Sequence, residues 1–139
     1  MIKVFIDGAC EPINPGGTAS YGLIVYRDNT LIFQKGEVIG SGSEFSNNVA
    51  EYAGLLAFLN LRKVNEPATI YSDSQLLVNQ MSGLWSAHKG LYLGNYKKAI
   101  NLCAGQPFRF IWIPKEENIE ADTLSLIALQ KAGIKIKRR

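Results

Sequence analysis

Acidic residues at the ends of predicted secondary-structure elements are the first candidates for chemistry in this sequence. The chain contains only four aspartates, and Asp7, Asp73 and Asp122 stand at such junctions, while Glu51 falls on the apolar stripe of a predicted helix. Carboxylates that converge without a cation repel one another, and the pKa of each rises. A cluster that stays ionised needs a divalent cation. Because the chain has a single histidine and no paired-cysteine motif, oxygen ligation of Mg²⁺ or Mn²⁺ is favoured.

Two divalent ions about 4 Å apart can hold a phosphodiester between them, activate a water molecule and stabilise the leaving oxygen. The acidic residues therefore predict metal-assisted phosphodiester hydrolysis. Each of them also has a purely structural interpretation. Asp7 could close an Asx turn, and Asp73 could cap a helix. Glu51 could be half-exposed beside an ion partner, and Asp122 could complement a helix dipole.

The strand that leads to Asp7 is the centre of the predicted architecture. Apolar side chains in residues 2–8 occupy both sides of the pleat, which is typical of a strand covered on both faces. Asp28-Asn29 separates two further strands and indicates a tight hairpin. The pattern predicts five strands, at 2–8, 19–27, 31–39, 68–72 and 108–113.

Helical spacing of apolar residues predicts helices at 47–62, 74–81, about 91–104 and 116–131. Ser46 or Asn47 can cap the first helix, in which Glu51 shares a stripe that ends at Arg62. Ala121 and Ser125, beside Asp122, are small enough for close packing. The order of elements favours an α/β fold with right-handed crossovers and helices on both faces of a mixed sheet. Sites in such sheets gather at the carboxyl ends of parallel strands.

Composition limits the classes of protein to consider. The 139 residues are 47% hydrophobic and 19% charged with a net charge of +3, which is typical of one globular domain and compatible with a polyanionic partner. Cys10 and Cys103 lack metal-ligand spacing and are interpreted as free thiols. No apolar run has the roughly 20 residues that cross a bilayer, and no signal-peptide pattern opens the chain, so we expect a cytoplasmic protein without a membrane partner.

Four motifs follow one another along the chain. They are Asp7-Gly8-Ala9-Cys10 with Asn14-Pro15-Gly16-Gly17, then Ser46-Asn47-Asn48-Val49-Ala50-Glu51, then Ser72-Asp73-Ser74-Gln75, and finally residues 112–125 with Lys115 and Asp122. Together they resemble type 1 ribonuclease H in its short archaeal and bacterial form, over nearly the whole chain. The resemblance implies a ribonuclease H-like fold, with a five-stranded mixed sheet of order 3-2-1-4-5, in a single domain at 1–133 followed by a basic tail at 134–139.

The resemblance also implies endonucleolytic hydrolysis of the RNA strand of RNA/DNA hybrids, leaving 5′-phosphate and 3′-hydroxyl ends. By motif match, the catalytic and metal-binding carboxylates would be Asp7, Glu51, Asp73 and Asp122, holding two Mg²⁺ or Mn²⁺ ions. Asp7 would bridge both ions. Glu51 would lie with the leaving-group metal and near a 2′-hydroxyl, Asp73 would lie on the nucleophile side, and Asp122 would be the most weakly attached ligand.

Three amides match family positions that contact the hybrid in its minor groove: Asn14, Asn48 and Gln75. Exposed 2′-hydroxyls there distinguish RNA from DNA, and short amides can both donate to and accept from them. Each amide also has an interpretation as a turn or cap residue.

Two family features are weaker in this sequence. Many relatives carry a histidine associated with product release before the last aspartate, where this chain has Lys115. Larger relatives carry a basic protrusion, whereas residues 85–92 are short and weakly charged, although Trp85 and Lys89 are candidates for gripping substrate. With few phosphate contacts, we expect modest hybrid affinity and a shallow salt dependence.

Other conspicuous side chains have structural interpretations. Lys97 and Lys98 are assigned to a solvated helix face, although they could add some grip, and His88 is assigned to a surface loop. Trp112 is predicted to pack in the core. Residues 137–139 could bind phosphate, but we expect a disordered, solubilising end.

Two alternatives remain open beside a hybrid-specific nuclease. A weak protrusion and an altered loop could relax selection and admit other substrates, including double-stranded RNA. A non-catalytic nucleic-acid-binding module is less consistent with the presence of all four carboxylates. We expect a monomer.

Overall fold

The computed structural model describes residues 1–61 and 66–137. Arg62, predicted to end the stripe of the first helix, and Arg138 and Arg139, predicted to belong to the basic tail, lie outside the described residues. The elements in chain order are β1 (Ile2–Glu11), β2 (Thr18–Arg27), β3 (Thr30–Ser41), α1 (Asn47–Leu61), β4 (Ala68–Ser72), α2 (Gln75–Met81), α3 (Leu93–Cys103), β5 (Phe108–Trp112), a 3₁₀ turn (Lys115–Glu117) and α4 (Ile119–Lys131).

The strands form one five-stranded sheet in the order β3-β2-β1-β4-β5, as predicted. The first three strands pair antiparallel, and the hairpin at Asp28-Asn29 has positive φ angles of 48° and 70°, which suit the right-handed twist of a two-residue connection. β4 pairs parallel with both β1 and β5. β1 is therefore the central strand, between an antiparallel and a parallel neighbour, and the mixed α/β sheet is confirmed.

One face of the sheet is covered by α1, which rests directly on β1. A Cβ atom at Gly8 would collide with the backbone nitrogen of Glu51 and with Ala50. A glycine at this position therefore lets the first turns of α1 approach the central strand and brings Glu51 to its side.

The opposite face is covered by α4, and two glycines set how closely it approaches. A Cβ atom at Gly22 would collide with the carbonyl oxygen of Ala121, and one at Gly36 would collide with that of Leu124. Gly22 pairs with Asp7 across β1 and β2, so the two residues share a face of the sheet. The start of α4 is therefore held against the sheet beside Asp7.

A buried polar network joins α1 to the helices that follow it. The Tyr52 hydroxyl donates to Gln80 Oε1 at 2.6 Å, and Gln80 Nε2 donates to the Tyr92 hydroxyl at 3.0 Å. The rings of Tyr52 and Tyr92 are stacked, with centroids 5.6 Å apart. Since Gln80 belongs to α2 and Tyr92 precedes α3, this network positions both helices on the α1 side of the sheet.

The sequence pattern predicted a central strand at 2–8 with Asp7 at its end, but the strand continues to Glu11. Its parallel pairing with β4 stops at Ile6 and Ser72, but its antiparallel pairing with β2 continues as far as Glu11 and Thr18. The chain stays extended because β2 continues to supply hydrogen-bond partners after β4 has turned away. Asp7 thus lies within a strand, at the end of the parallel pair.

The last helix also begins later than predicted. The 3₁₀ turn Lys115–Glu117 precedes α4, and Asn118 separates the two. The Asn118 side chain makes no capping hydrogen bond and instead donates from Nδ2 to the carbonyl oxygen of Ile6 at 2.8 Å. Asp122 still lies near the start of the helix, as predicted.

Residues 134–137 return to the body of the protein. Of the end at 137–139 that we expected to be disordered, only Lys137 is among the described residues, and its amide is hydrogen-bonded. The Ile134 amide donates to the carbonyl oxygen of Leu129 at 3.0 Å. The Lys137 amide donates to Glu11 Oε1 at 2.8 Å. The boundary between domain and tail stays a prediction.

Two simpler expectations concern cysteines and membranes. Cys10 and Cys103 are free thiols, as predicted. Among the helices of the described residues, none is both long enough and apolar enough to cross a bilayer.

Candidate active site

Three carboxylates meet at the carboxyl ends of the parallel strands β1 and β4. The parallel pairing of β1 with β4 ends at Ile6 and Ser72, so the next residues, Asp7 and Asp73, emerge together at the carboxyl ends of these strands. Glu51 reaches the same end of the sheet from α1. One side-chain oxygen from each of Asp7, Glu51 and Asp73 lies within 4.8 Å of the others.

Asp122 approaches this cluster from α4. Its side chain is 18% exposed, and Lys115 Nζ lies 3.9 Å from its Oδ1. Burial and then the charge of Asp73 raise the pKa of Asp7 most, and a hydrogen bond with Asp122 and the charge of Asp122 add to the rise, so Asp122 is a close neighbour of Asp7. The structure therefore brings the four predicted carboxylates into one region, while their catalytic and metal-binding roles stay predictions.

Burial and mutual repulsion raise the pKa of each carboxyl group in the cluster. Burial, followed by the charge of Asp73, raises the pKa of Asp7 from 3.8 to about 8. Burial, followed by the charges of Asp7 and Asp73, raises the pKa of Glu51 well above its usual range. Burial also raises the pKa of Asp73, opposed by the positive charge of Lys115. Without a cation, the cluster therefore retains protons at neutral pH.

Two oxygens show that the cluster fits a cation. Asp7 Oδ2 and Glu51 Oε2 are buried and accept no hydrogen bond from the described residues. A buried polar atom without a partner costs about 1–3 kcal/mol, and more when it is charged. A hard divalent cation prefers carboxylate oxygens and would supply the missing partner to both. The donor set of Asp7, Glu51 and Asp73 therefore suits Mg²⁺ or Mn²⁺.

Asp73 does not cap α2. Ser74 is the N-cap residue, and its hydroxyl oxygen accepts a hydrogen bond from the Leu77 amide at 3.1 Å. The structural alternative for Asp73 is therefore wrong. Its carboxylate instead lines the cleft with Asp7.

The prediction that Trp112 packs in the core is also wrong, because its side chain is 45% exposed. Its Nε1 donates to the carbonyl oxygen of Asp73 at 3.2 Å, and the ring borders the cleft. Trp112 is the last residue of β5, which is an edge strand. A residue at the end of an edge strand has a neighbouring strand on one side only, which accounts for the exposure.

Polar contacts that the sequence does not reveal hold α4 in position. Ser20 Oγ donates to the carbonyl oxygen of Ser125 at 2.7 Å, and Ser125 Oγ donates to that of Asp122 at 2.7 Å. Together with the contact from Asn118 to Ile6, they fix the helix that carries Asp122 to β1 and β2. A polar residue before a helix is usually a cap, so the pattern alone gives no signal for the role of Asn118.

An open cleft of about 690 Å³ lies over the carboxylates. Asn14 lines it, as do Trp112, Lys115 and Lys137. Asn14 Nδ2 donates to Asn47 Oδ1 at 2.8 Å, and Asn14 Oδ1 accepts from the backbone amide of Asn47 at 3.0 Å. This reciprocal pair fixes Asn14 at the rim. Asn47 also lines the cleft, whereas its position in the sequence predicted only a helix cap.

Four predicted substrate contacts are not among the residues that line this cleft. Asn48 is half-buried in the first turn of α1, and Gln75 is exposed at the start of α2. Trp85 and Lys89 are exposed in the segment between α2 and α3. Their contacts with substrate stay predictions. Other expectations hold: His88 is an exposed loop residue, and Lys97 and Lys98 lie on the exposed side of α3.

Known proteins are similar in sequence to nearly the whole of this chain. A curated protein of Mycobacterium tuberculosis strain H37Rv, named Bifunctional protein Rv2228c, is 34% identical over 137 residues, covering 95% of this chain and 37% of that protein. A protein of Syntrophus aciditrophicus named Ribonuclease H is 26% identical over 151 residues, covering 97% of this chain and 84% of its own length. The chain therefore spans little more than a third of the mycobacterial relative.

Solved structures share the fold of this chain. The crystal structure of LC11-RNase H1 in complex with an RNA/DNA hybrid has a TM-score of 0.84 and 26% identity, covering 95% of this chain and 99% of that one. The N-terminal RNase H domain of the M. tuberculosis protein has a TM-score of 0.83 and 32% identity, covering 95% of both chains. The family model described as RNase H matches residues 1–129, which is most of the sequence. The chain thus belongs to the RNase H family.

Proposed function

We propose that this domain is a metal-dependent endoribonuclease that hydrolyses the RNA strand of RNA/DNA hybrids and leaves 5′-phosphate and 3′-hydroxyl ends. The observation that carries the proposal is the convergence of Asp7, Glu51 and Asp73 within 4.8 Å. Asp7 and Glu51 each have a buried oxygen that lacks a hydrogen-bond partner among the described residues. Membership of a family of divalent-metal nucleases supports the proposal. So does the likeness to LC11-RNase H1, whose structure contains an RNA/DNA hybrid.

Asp7, Glu51, Asp73 and Asp122 would hold two Mg²⁺ or Mn²⁺ ions. When bound, the ions would neutralise the scissile phosphate, activate water and stabilise the leaving oxygen. The contribution of the protein is to hold these carboxylates on rigid elements. Asp7 lies in the central strand, and Glu51 and Asp122 lie on helices packed against opposite faces of the sheet. The carboxylates that would hold the ions are therefore in position before substrate binds, which would align the phosphate with the attacking water.

The amide of Asn14 is suited to the minor groove of the hybrid. Its hydrogen bonds to Asn47 fix the side chain at the rim of the cleft, and an amide can pair with a 2′-hydroxyl as either donor or acceptor. We assign Asn48 and Gln75 to the same groove, although they do not line the cleft itself. Trp85 and Lys89 would contact the duplex farther along.

Lys115 takes the place of the histidine that many relatives carry. Its ammonium group lies 3.9 Å from Asp122 Oδ1. Burial raises the pKa of Asp7 and of Asp73, and the positive charge of Lys115 opposes that rise. We assign Lys115 to contact with the scissile phosphate and to release of the 5′-phosphate product. The phosphate would compete with Asp122 for the ammonium group of Lys115.

The alternative of a broader substrate range rests on the segment between α2 and α3. Trp85, His88 and Lys89 in this short segment are exposed, and it forms no basic helix that would select the DNA strand. Double-stranded RNA therefore stays a second candidate substrate. Monomeric state and cytoplasmic location also stay predictions.

The test is cleavage of labelled RNA/DNA hybrid, duplex RNA and duplex DNA, each with Mg²⁺, with Mn²⁺ and with EDTA. We expect cleavage of the hybrid RNA strand only with metal, and none by Asp7→Asn. The matched control is Asp28→Asn, because Asp28 is an exposed turn residue paired with the N-terminus. Near-native turnover by Asp7→Asn, or cleavage in EDTA, would overturn the proposal. Binding of hybrid without cleavage under any metal would identify a binding module instead.

A further inference from the structure

The C-terminal residues of the described chain run along the rim of the cleft. The Lys137 amide donates to Glu11 Oε1 at 2.8 Å, and Glu11 is only 6% exposed. Glu11 ends the same strand that carries Asp7. This contact therefore fixes the backbone of Lys137 relative to the carboxylate cluster, while the bond from Ile134 to Leu129 holds the start of the segment on α4.

The side chain of Lys137 belongs to the cleft. Lys137 is exposed and borders the same cavity as Asp7 and Asp73, and among the described residues the other lysine in that lining is Lys115. The ammonium group of Lys137 forms no ion pair within the described residues, whereas Lys115 pairs with Asp122. Lys137 is therefore a cation held beside an acidic site and available to a ligand.

We propose that Lys137 binds a backbone phosphate of the nucleic acid in the cleft, so that residues 134–137 form one wall of the substrate site. The inference rests on the proposed function, since it names a further contact of the same site. A polyanion that crosses the carboxylates is favoured by positive charge beside the metal-binding cluster. Lys115 supplies it beside α4, and Lys137 supplies it beside the end of β1. A lysine binds phosphate as a point charge, which positions the duplex without reading its sequence.

Loss of one phosphate contact has a measurable signature. Each phosphate neutralised by a lysine releases condensed counterions, and the slope of log K against log salt changes by roughly 0.9 per contact on a duplex. The affinity itself should fall about two- to fivefold, the range for one solvent-exposed ion pair.

The experiment measures hybrid binding by Asp7→Asn protein, in which cleavage does not interfere, at salt concentrations from about 50 to 300 mM. We expect Lys137→Gln in this background to lower the affinity for the hybrid. The slope of log K against log salt should become shallower by about 0.9, the value for one phosphate contact. Lys135→Gln is the matched control. It removes the same charge from the same segment, but Lys135 does not line the cleft. Lys137→Arg should restore the slope. Equal slopes for Lys137→Gln and Lys135→Gln would overturn the inference.

Kinetics with an intact cluster separates this inference from the proposed function. Lys137→Gln alone should raise KM about two- to fivefold, leave kcat unchanged and leave Tm unchanged, because the side chain is exposed. Cleavage by the wild-type protein combined with an unchanged KM for Lys137→Gln would reject the contact and keep the nuclease. Absence of cleavage by the wild-type protein, with a reduced salt slope for Lys137→Gln, would reject the nuclease and keep the contact.

Discussion

Asn118 Nδ2 donates a 2.8 Å hydrogen bond to the carbonyl oxygen of Ile6, the residue immediately before Asp7. Asn118 is 1% exposed and stands immediately before α4, the helix that carries Asp122. One side chain therefore ties the central strand, at the position of its carboxylate, to the helix that brings the fourth carboxylate. We interpret Asn118 as a positioning residue for the cluster.

Replacing Asn118 with aspartate should be strongly unfavourable, although both residues are equally good helix N-caps. A carboxylate cannot donate to Ile6, so two acceptors would face each other in a buried space. We expect the free energy of unfolding to fall by about 1–3 kcal/mol or more, and kcat to fall with it. Urea unfolding and hybrid cleavage measure the two effects. Glu117→Gln, at the exposed neighbouring residue, is the control. Wild-type stability and kcat in Asn118→Asp would show that the hydrogen bond to Ile6 does not position the cluster.

Gly22→Ala should displace Asp122 without touching it. The added Cβ would collide with the carbonyl oxygen of Ala121, so α4 must move away from the sheet. Overpacking of this kind costs about 1–3 kcal/mol, and the shift should lower kcat because Asp122 moves with its helix. Gly94→Ala is the control, since a Cβ there meets no atom within 4 Å and should be neutral or slightly stabilising. Equal activity of the two variants would show that the position of α4 is not critical.

The sequence predicts the sheet and the carboxylates because both follow local rules. Alternating and helical apolar patterns depend only on which faces are buried, and the hairpin at Asp28-Asn29 requires residues that accept positive φ. Glu51 was identifiable because a carboxylate on an apolar stripe breaks the pattern. Asp7 was identifiable for the same reason, within an otherwise apolar strand.

The sequence does not predict contacts between distant residues. The bonds from Asn118 to Ile6 and from Lys137 to Glu11 join residues that no periodicity relates. Trp112 was misassigned because an aromatic residue in an apolar strand resembles a core residue until the edge position of β5 is known. Ser-Asp-Ser before α2 contains three good capping residues, and only the geometry selects Ser74 and leaves Asp73 to the cluster.

The metal-free protein should become less stable as pH rises from about 4 to about 8. The pKa of Asp7 is about 8 in the folded chain against 3.8 ordinarily, so the folded state keeps a proton that the unfolded chain has released between these values. Glu51 and Asp73 are shifted in the same direction. Urea unfolding in EDTA across this range measures the slope.

Asp7→Asn should flatten this pH dependence and raise stability at pH 8 in EDTA, because it removes a buried charge. Saturating Mg²⁺ should stabilise the wild-type protein most at high pH, where the carboxylates are ionised and bind the cation. A stability that rises with pH in EDTA would contradict the arrangement of the cluster.

Trp112 should report the arrival of a divalent cation. Its Nε1 hydrogen bond to the Asp73 carbonyl couples the ring to a residue of the cluster, and the chain has only one other tryptophan, Trp85. In Trp85→Phe protein, we therefore expect a saturable change of tryptophan emission on titration with Mg²⁺, abolished by EDTA and weakened by Asp7→Asn. Trp112→Phe retains only Trp85, which is outside the cleft lining, and should show no change. Because Trp112 is partly exposed, its loss should cost no more than about 1 kcal/mol, so both variants remain folded. If calorimetry detects Mg²⁺ binding while the emission of Trp85→Phe stays constant, the cation does not bind beside Asp73.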